Sequence, residues 1–280
     1  MLADAGVPSP DHDARALAAH VLGVSQIHTL QVVPASFTAR FADLVDRRCS
    51  REPLQHIVGT TGFRHLRLQV LPGVFVPRPE TELVAQVAVD EAQRLADRGV
   101  APVVVDLCCG AGGIALSVAL EVPRTRVTAV DLAPAAVALA VTNAAACGAE
   151  LRIEAADATA DDALADLNGQ VDVVVANPPY IPPDAVPMEP EVRDHDPDLA
   201  LYGGGADGLE VPRGVVGTAA RLLRAGGLFV MEHGEGQGEA VRGLVTERGF
   251  TEVETLPDLT GRPRMVVARR PETATGVARA

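Results

Sequence analysis

Residues 103–113, VVVDLCCGAGG, are the most informative about the fold, because a short apolar run ends there in a turn rich in small residues. An apolar run bounded by turn residues is typical of a strand buried on both faces, and a helical pattern at 112–120 follows directly. In an open α/β sheet, ligands lie beyond the carboxyl ends of the strands, where small residues let the backbone approach them closely. The stretch therefore predicts the first strand and the ligand-binding turn of an α/β domain.

The same alternation of strand and helix extends outward from this stretch. Further strands are predicted at 126–131, 151–157, 171–177, 228–233, 252–256 and 264–269, and helices at 80–97, 112–120, 134–147, 209–223 and 237–248. Such alternation implies a mostly parallel sheet with helices on both faces. The predicted fold class is therefore α/β, with a seven-stranded, mostly parallel, Rossmann-like sheet. The proline-rich residues 178–197 are predicted to form a loop.

A different pattern precedes the α/β domain. Helical periodicity at 11–21 and 36–49 predicts a small helical unit. Residues 62–76 alternate with a period of two around Pro72-Gly73, which predicts a β-hairpin turning at that dipeptide. The predicted organisation is a helical N-terminal domain at 1–60, a hairpin linker at 61–76, a catalytic domain at 77–272 and a tail at 273–280.

Charge and composition limit the partners. The 280 residues include 24 basic and 37 acidic side chains, for a net charge of −13. This surplus disfavours a large phosphate-binding surface and a polybasic membrane attachment, so neither a nucleic acid nor a membrane is expected as a partner. No signal-like start or membrane-spanning apolar run is visible, and none of the four cysteines forms a C-x-x-C pair. We expect a cytoplasmic protein with reduced thiols.

Acidic residues end the next two predicted strands. Asp131 follows the first strand by about 20 residues, a position from which a carboxylate accepts both hydroxyls of a ribose. Asp157 ends the third strand, where it can contact an adenine edge. Taken singly, each aspartate is equally well explained as a turn residue. As an ordered set after successive strands, they indicate a nucleoside cofactor.

The spacing of the turn distinguishes between nucleosides. A dinucleotide site requires G-x-G-x-x-G, whereas the glycines here are at 110, 112 and 113. This fits the D-x-G-x-G-x-G turn of S-adenosylmethionine (SAM) enzymes better, with Cys108 in place of the first glycine. SAM is therefore the predicted cofactor, and a nicotinamide oxidoreductase is disfavoured. The histidines show no metal-ligand spacing, so no metal is predicted.

The fourth strand ends in Asn177-Pro178-Pro179-Tyr180, the most specific signal in the chain. An amide or exocyclic amine is a poor nucleophile because its lone pair is delocalised. The Asn177 side-chain oxygen and the Pro178 carbonyl can hold both N–H groups and turn the lone pair toward a methyl donor. Tyr180 offers a flat face for a planar group. The alternative is an ordinary proline-rich turn after a strand.

Further motifs occur in the same order as in a known family. They are residues 51–59 (REPLQHIVG), 76–82 (VPRPETE), 177–181 (NPPYI), 200–204 (ALYGG), 207–209 (DGL) and 258–264 (DLTGRPR). Over residues 11–270 the chain resembles the peptide chain release factor glutamine N5-methyltransferases (HemK/PrmC family). The resemblance implies a substrate-recognising helical domain, a hairpin linker and a SAM-dependent domain. It further implies that methyl transfer to the glutamine of the Gly-Gly-Gln motif of class-1 release factors leaves S-adenosyl-L-homocysteine, and we expect a monomer.

The resemblance also implies site residues. The cofactor positions are Cys108, Cys109, Gly110, Ala111, Gly112, Asp131 and Asn177, with Asp157 or Ala158 on the adenine side. The glutamine-binding positions are Asn177, Pro178, Pro179 and Tyr180, of which Asn177, Pro178 and Tyr180 are the catalytic candidates. Residues 77–82 would lie over the cofactor, although a plain helix start explains them equally well. Cys108-Cys109 stands where Gly-Thr is usual, so Cys108 must adopt whatever φ the site demands.

Two other interpretations remain open from the sequence. An adenine-N6 or cytosine-N4 nucleic-acid methyltransferase uses a similar N-P-P-Y motif, but the charge and the lack of a target-recognition region disfavour it. A non-catalytic SAM-binding homologue is suggested by the Cys108-Cys109 turn, whereas the intact motif at 177–180 favours an enzyme.

Overall fold

Three helices form the first part of the chain in the computed structural model, which describes residues 1–27 and 33–272. They are α1 (Pro10–Leu22), α2 (Phe37–Cys49) and α3 (Leu54–Val58), and they enclose a small core of Leu17, Val45 and Ile57. The two helices predicted from periodicity are confirmed to within one residue at each end. The predicted tail at 273–280 lies outside the described residues.

A β-hairpin follows, but its predicted turn at Pro72-Gly73 is wrong. Strands β1 (Thr60–Phe63) and β2 (Leu66–Gln69) pair antiparallel around a turn at Arg64, whose φ is 51°. Residues 72–76 form a loop instead of the second strand. Val74 is buried there against Ala111 and α/β-domain side chains near it. The alternation at 70–76 therefore reflects alternate burial of a loop across the ligand-binding turn, which does not require a paired strand.

The α/β domain contains the remaining elements. Its strands are β3 (Val103–Leu107), β4 (Arg126–Asp131), β5 (Arg152–Ala155), β6 (Val171–Ala176), β7 (Leu223–Glu232), β8 (Thr251–Pro257) and β9 (Pro263–Arg269). Its helices are α4 (Thr81–Ala96), α5 (Gly113–Glu121), α6 (Pro134–Cys147), α7 (Pro190–His195), α8 (Asp198–Leu201), α9 (Glu210–Leu222) and α10 (Gly238–Glu247), with short 3₁₀ turns at Ala165–Leu167 and Glu235–Gln237. Every predicted strand and helix of this domain is present.

The seven strands form one sheet in the order β5-β4-β3-β6-β7-β9-β8. Strands β3 to β7 of the chain run parallel to one another, and β9 is antiparallel to both β7 and β8. This confirms the predicted α/β class with a mostly parallel sheet. The strand order reverses between β3 and β6, and such a switch point opens a crevice at the carboxyl ends of the strands.

The central strands are buried on both faces because side chains alternate along them. Val104 and Val173 belong to one hydrophobic core, with α4, α5 and α6. Val105 and Val174 belong to the other, with α9 and α10. Because β3 and β6 lie between two hydrophobic cores, they hold the residues that follow them in place.

Two further predictions differ from the structure. The third strand ends at Ala155, so Asp157 lies two residues beyond it rather than in it. Residues 178–197 include a short helix, α7, which starts at Pro190 with an acidic residue in its first turn. Proline fits the first helical position and an acid there complements the helix dipole, which explains why this helix forms within a proline-rich stretch. Within the described residues, no helix is both long and apolar enough to cross a membrane.

Candidate active site

A cavity of about 340 Å³ opens at the carboxyl ends of β3, β4 and β6. This size falls within the range of roughly 300–1,000 Å³ that is usual for small-molecule sites. Its wall includes most residues predicted from the sequence, namely Cys108, Cys109, Gly110, Ala111, Asp131, Asp157, Ala158, Asn177, Pro178, Pro179 and Tyr180. Parallel strands end at one edge of a sheet, and this brings together motifs that are far apart in the chain.

Gly112, which is also predicted to bind the cofactor, does not line this cavity. It precedes α5 with a φ of 88°, and a Cβ there would lie 3.3 Å from the Leu116 side chain and 3.4 Å from Ala140. Its amide donates to the Cys109 carbonyl. The structure thus places Gly112 where the turn packs onto α5 and α6, behind the cavity wall rather than on it.

The turn itself has a left-handed backbone. Cys108 has a φ of 65° and Gly110 a φ of 54°, so the φ that the turn demands of Cys108 lies in the left-handed region that favours glycine. A Cβ added to Gly110 would meet no atom within 4 Å, so open space lies beside this backbone. Burial, together with the negative charges of Asp131 and Asp106, raises the pKa of the Cys108 thiol and favours its protonated form.

Asp131 joins this turn to the end of β4. Its carboxylate accepts hydrogen bonds from the Gly110 amide at 2.8 Å and from the Ala133 amide at 2.9 Å. Burial raises its pKa, while these backbone N–H groups oppose the shift. Each carboxylate oxygen has a further lone pair, so this side chain on the cavity wall can also accept ribose hydroxyls. The turn and Asp131 together fit a nucleoside cofactor.

Asp157 is fixed by the residues just after it. Its Oδ1 accepts from the Thr159 amide at 2.8 Å and from the Thr159 hydroxyl at 2.7 Å. This local turn holds the carboxylate at the cavity wall beside the buried Ala158. Both residues line the same cavity as Asp131 and are therefore available to a bound nucleoside.

Asn177 is held by residues from two other elements. Its Nδ2 donates to the Thr81 hydroxyl at 3.1 Å, and that hydroxyl donates to Glu232 Oε2 at 2.8 Å. The Tyr180 hydroxyl donates to Glu232 Oε1 at 3.2 Å. Burial raises the pKa of Tyr180, so the phenol keeps the proton that it donates. Two residues of the motif are therefore linked to the Glu232 carboxylate, Tyr180 directly and Asn177 through Thr81.

Glu232 is absent from the predicted site residues, and Thr81 is among them only as part of the 77–82 segment. Glu232 is the last residue of β7, and it is 3% exposed. The sequence does contain a signal for Glu232. It ends an apolar strand, which is the same pattern that identifies Asp131. Burial raises the pKa of Glu232, while the Thr81 hydrogen bond and the charge of Arg264 oppose this shift.

The backbone after the motif is fixed by close contacts between loops. The amides of Tyr180 and Ile181 both donate to the Leu201 carbonyl, at 3.1 and 2.8 Å. The Gln237 side chain donates to the Tyr180 carbonyl at 2.8 Å. These contacts hold the motif's main chain without using the Pro178 carbonyl.

A second cavity, of about 640 Å³, lies between the N-terminal helices and the α/β domain. Tyr180 and Phe75 contribute to the walls of both cavities, so these rings stand between them. Glu191 of α7 pairs with Arg48 at 2.7 Å and with Arg51 at 2.6 Å, which ties the loop after the motif to the N-terminal helices.

A switch-point cavity with a nucleoside-fitting turn and an N-P-P-Y strand end defines the class of the protein as a SAM-dependent methyltransferase with a Rossmann-like fold. The fold agrees with solved structures. A 16S rRNA N2 G1207 methyltransferase of T. Thermophilus, solved with AdoMet and guanosine, matches with a TM-score of 0.54 and 23% identity over 75% of this chain and 49% of that one. A ribosomal protein L11 methylase of Lactobacillus delbrueckii subsp. bulgaricus matches with a TM-score of 0.52 and 17% identity over 76% of this chain and 99% of that one.

Sequence comparison identifies the family. Residues 1–59 match the family model "PrmC N-terminal domain" and residues 67–188 match "Methyltransferase small domain". A release factor glutamine methyltransferase of Streptomyces coelicolor is 51% identical over 96% of this chain and 94% of its own length. One from Mycolicibacterium smegmatis is 48% identical over 96% of this chain and 94% of its own length. The chain belongs to the release factor glutamine methyltransferase family.

The left-handed backbone at Cys108 leads to a prediction about substitutions there. We expect Cys108→Gly to retain SAM affinity, whereas Cys108→Val should lower the free energy of unfolding by about 1–2 kcal/mol and weaken SAM binding, because a β-branched residue is disfavoured at positive φ. Chemical denaturation and titration calorimetry with SAM measure both quantities. Cys147→Val, at the end of helix α6, is the matched control. Wild-type affinity and stability in Cys108→Val would show that this conformation is not required.

Proposed function

We propose that this enzyme transfers a methyl group from SAM to the side-chain N5 of the glutamine in the Gly-Gly-Gln motif of class-1 peptide chain release factors. Membership in the family supports this substrate. The observation that carries the proposal is the orientation of Asn177. Its nitrogen is engaged with Thr81, which leaves its oxygen as the atom that can accept an N–H from a planar amide.

The residues of the motif would act on the glutamine amide together. Asn177 Oδ1 and the Pro178 carbonyl accept its two N–H groups, and Tyr180 packs against its plane. Held in this way, the nitrogen lone pair points toward the cofactor side of the site. When bound, SAM supplies an electrophilic methyl group on a sulfonium, and S-adenosyl-L-homocysteine remains after transfer. The methylated nitrogen then loses a proton, so positioning and electrostatics supply most of the rate without a strong general base.

The cofactor would occupy the cavity beside the turn at 108–112. Asp131 is proposed to accept the ribose hydroxyls, and Asp157 with Ala158 to contact the adenine. Pro77 and Thr81 also line this cavity, which supports the expectation that the 77–82 segment lies over the cofactor.

The release factor would approach from the second cavity. That cavity reaches Tyr180 from the side of the N-terminal helices, which supports a substrate-recognition role for residues 1–60 and a catalytic role for 77–272. The hairpin would link these two domains. We also propose a monomer with no nucleic-acid or membrane partner, in the cytoplasm, where release factors act.

Labelled SAM tests the substrate directly. We expect the purified enzyme to label a class-1 release factor. The labelling rate should fall by at least about 100-fold when Gly-Gly-Gln is changed to Gly-Gly-Ala, since the accepting nitrogen is then absent. DNA and RNA serve as competing substrates in parallel reactions. Label in either nucleic acid, or undiminished label in the alanine version, would contradict the proposal.

A further inference from the structure

A buried carboxylate stands at the end of the hydrogen-bond chain that reaches Asn177. The register pairs Ala176 of β6 with Met231 of β7, so Asn177 and Glu232 follow at the same edge of the sheet. Thr81, the first residue of α4, links them. Thr81 is 5% exposed and Glu232 is 3% exposed, so the link is screened from water.

Glu232 accepts a hydrogen bond through each of its two carboxyl oxygens, Oε2 from Thr81 and Oε1 from Tyr180, and this sets the direction of the hydrogen-bond chain. Because Glu232 accepts the hydroxyl proton of Thr81, the Thr81 oxygen must accept in turn from Asn177. Only the NH₂ side of the Asn177 amide can donate that bond. The opposite side of the same amide, which is its oxygen, is therefore turned away from Thr81.

We propose that Thr81 and Glu232 are positioning residues that lock the Asn177 amide with its oxygen toward the substrate amide, an inference that rests on the proposed function. A carboxamide rotated by 180° would present NH₂ to the substrate N–H groups, and two donors cannot bond to each other. The same carboxylate accepts from Tyr180. One side chain therefore fixes both the acceptor and the ring that define the amide pocket.

Substitutions at Thr81 separate this role from packing. Thr81→Ser keeps the hydroxyl, and Thr81→Val keeps the shape and removes it. We expect Thr81→Ser to stay within about 3-fold of wild type in kcat and Thr81→Val to lose about 10-fold to 100-fold, the range expected for one hydrogen bond to a charged network. SAM affinity and Tm should change little. Thr218→Val, a buried threonine of α9, is the matched control and should retain full activity.

Glu232→Gln tests the direction of the hydrogen bonds that link Asn177, Thr81 and Glu232. Glutamine has nearly the same shape but presents an oxygen on one side and an NH₂ on the other, so it cannot accept from both Thr81 and Tyr180. We expect kcat to fall by at least about 10-fold although the side chain still fills its space. Full activity in Glu232→Gln, or equal losses in Thr81→Ser and Thr81→Val, would overturn the proposal.

A measurement without turnover keeps the inference separate from the proposed function. The chain has three asparagines, Asn143, Asn168 and Asn177, so selective ¹⁵N labelling gives three side-chain amide pairs. The pair that disappears in Asn177→Ala is the one of interest. We expect its hydrogen exchange to accelerate at least about 10-fold in Thr81→Val and to stay near wild type in Thr81→Ser. Unchanged exchange in Thr81→Val would refute the lock, whereas a wild-type enzyme that fails to methylate release factor would refute only the substrate.

Discussion

Asn177→Ala is expected to reduce kcat for methyl transfer by at least about 100-fold to 1,000-fold, the cost of removing one preorganised partner from a developing charge. The substituted enzyme loses one of the two acceptors for the glutamine N–H groups, so the nitrogen lone pair is no longer held toward the methyl group. SAM should still bind appreciably, because the turn at 108–112 and Asp131 are unchanged. Single-turnover transfer to release factor and calorimetric titration with SAM measure the two effects separately.

The matched control for this change is Asn168→Ala. Asn168 is an exposed residue that accepts a hydrogen bond from Arg221. It precedes β6, at the opposite end of that strand from the cavity. It should retain wild-type kcat, and both variants should unfold near the wild-type temperature. Full turnover by Asn177→Ala would mean that the two-acceptor mechanism is wrong.

Gly203→Ala is expected to disrupt the site through the backbone. A Cβ at Gly203 would overlap the Gly208 carbonyl oxygen and lie 2.7 Å from the Pro179 carbonyl oxygen. Neither atom can rotate away, so the loop must move the main chain of the motif. We expect a loss of about 1–3 kcal/mol or more in the free energy of unfolding, as for an overpacked interior. We also expect kcat/KM to fall by at least about 100-fold, because a displacement of about 1 Å can cost that much.

Gly243→Ala provides the control for Gly203→Ala. Gly243 lies in α10, and a Cβ there would meet no atom within 4 Å. This change should leave activity intact and stabilise the fold by about 0.5–1 kcal/mol, because alanine is the better helix former. Denaturant unfolding and release-factor methylation compare the two glycines directly. Wild-type behaviour of Gly203→Ala would show that the loop at 203–208 does not hold the motif in place.

Most of the α/β domain was predictable because its strands are short apolar runs that end in recognisable residues. Asp131 and the 177–180 motif could be located from the sequence, since each directly follows such a run. The hairpin was placed wrongly because alternate burial of a loop and alternate burial of a strand produce the same pattern. The sequence predicts Gly112 as a cofactor residue because a glycine-rich turn does not reveal which glycine lines the cavity and which packs against a helix.

The α/β class, the SAM-type turn and the family can be predicted from the amino-acid sequence, because they depend on residues that are close together in the chain. The orientation of the Asn177 amide depends instead on long-range contacts of the folded chain. Thr81 is 96 residues from Asn177, and Glu232 is 52 residues from Tyr180, so no local spacing relates them. Whether the Thr81 hydroxyl donates or accepts depends on the groups that the fold places beside it. Here it donates to Glu232, a carboxylate buried at the end of the neighbouring strand, and therefore accepts from Asn177.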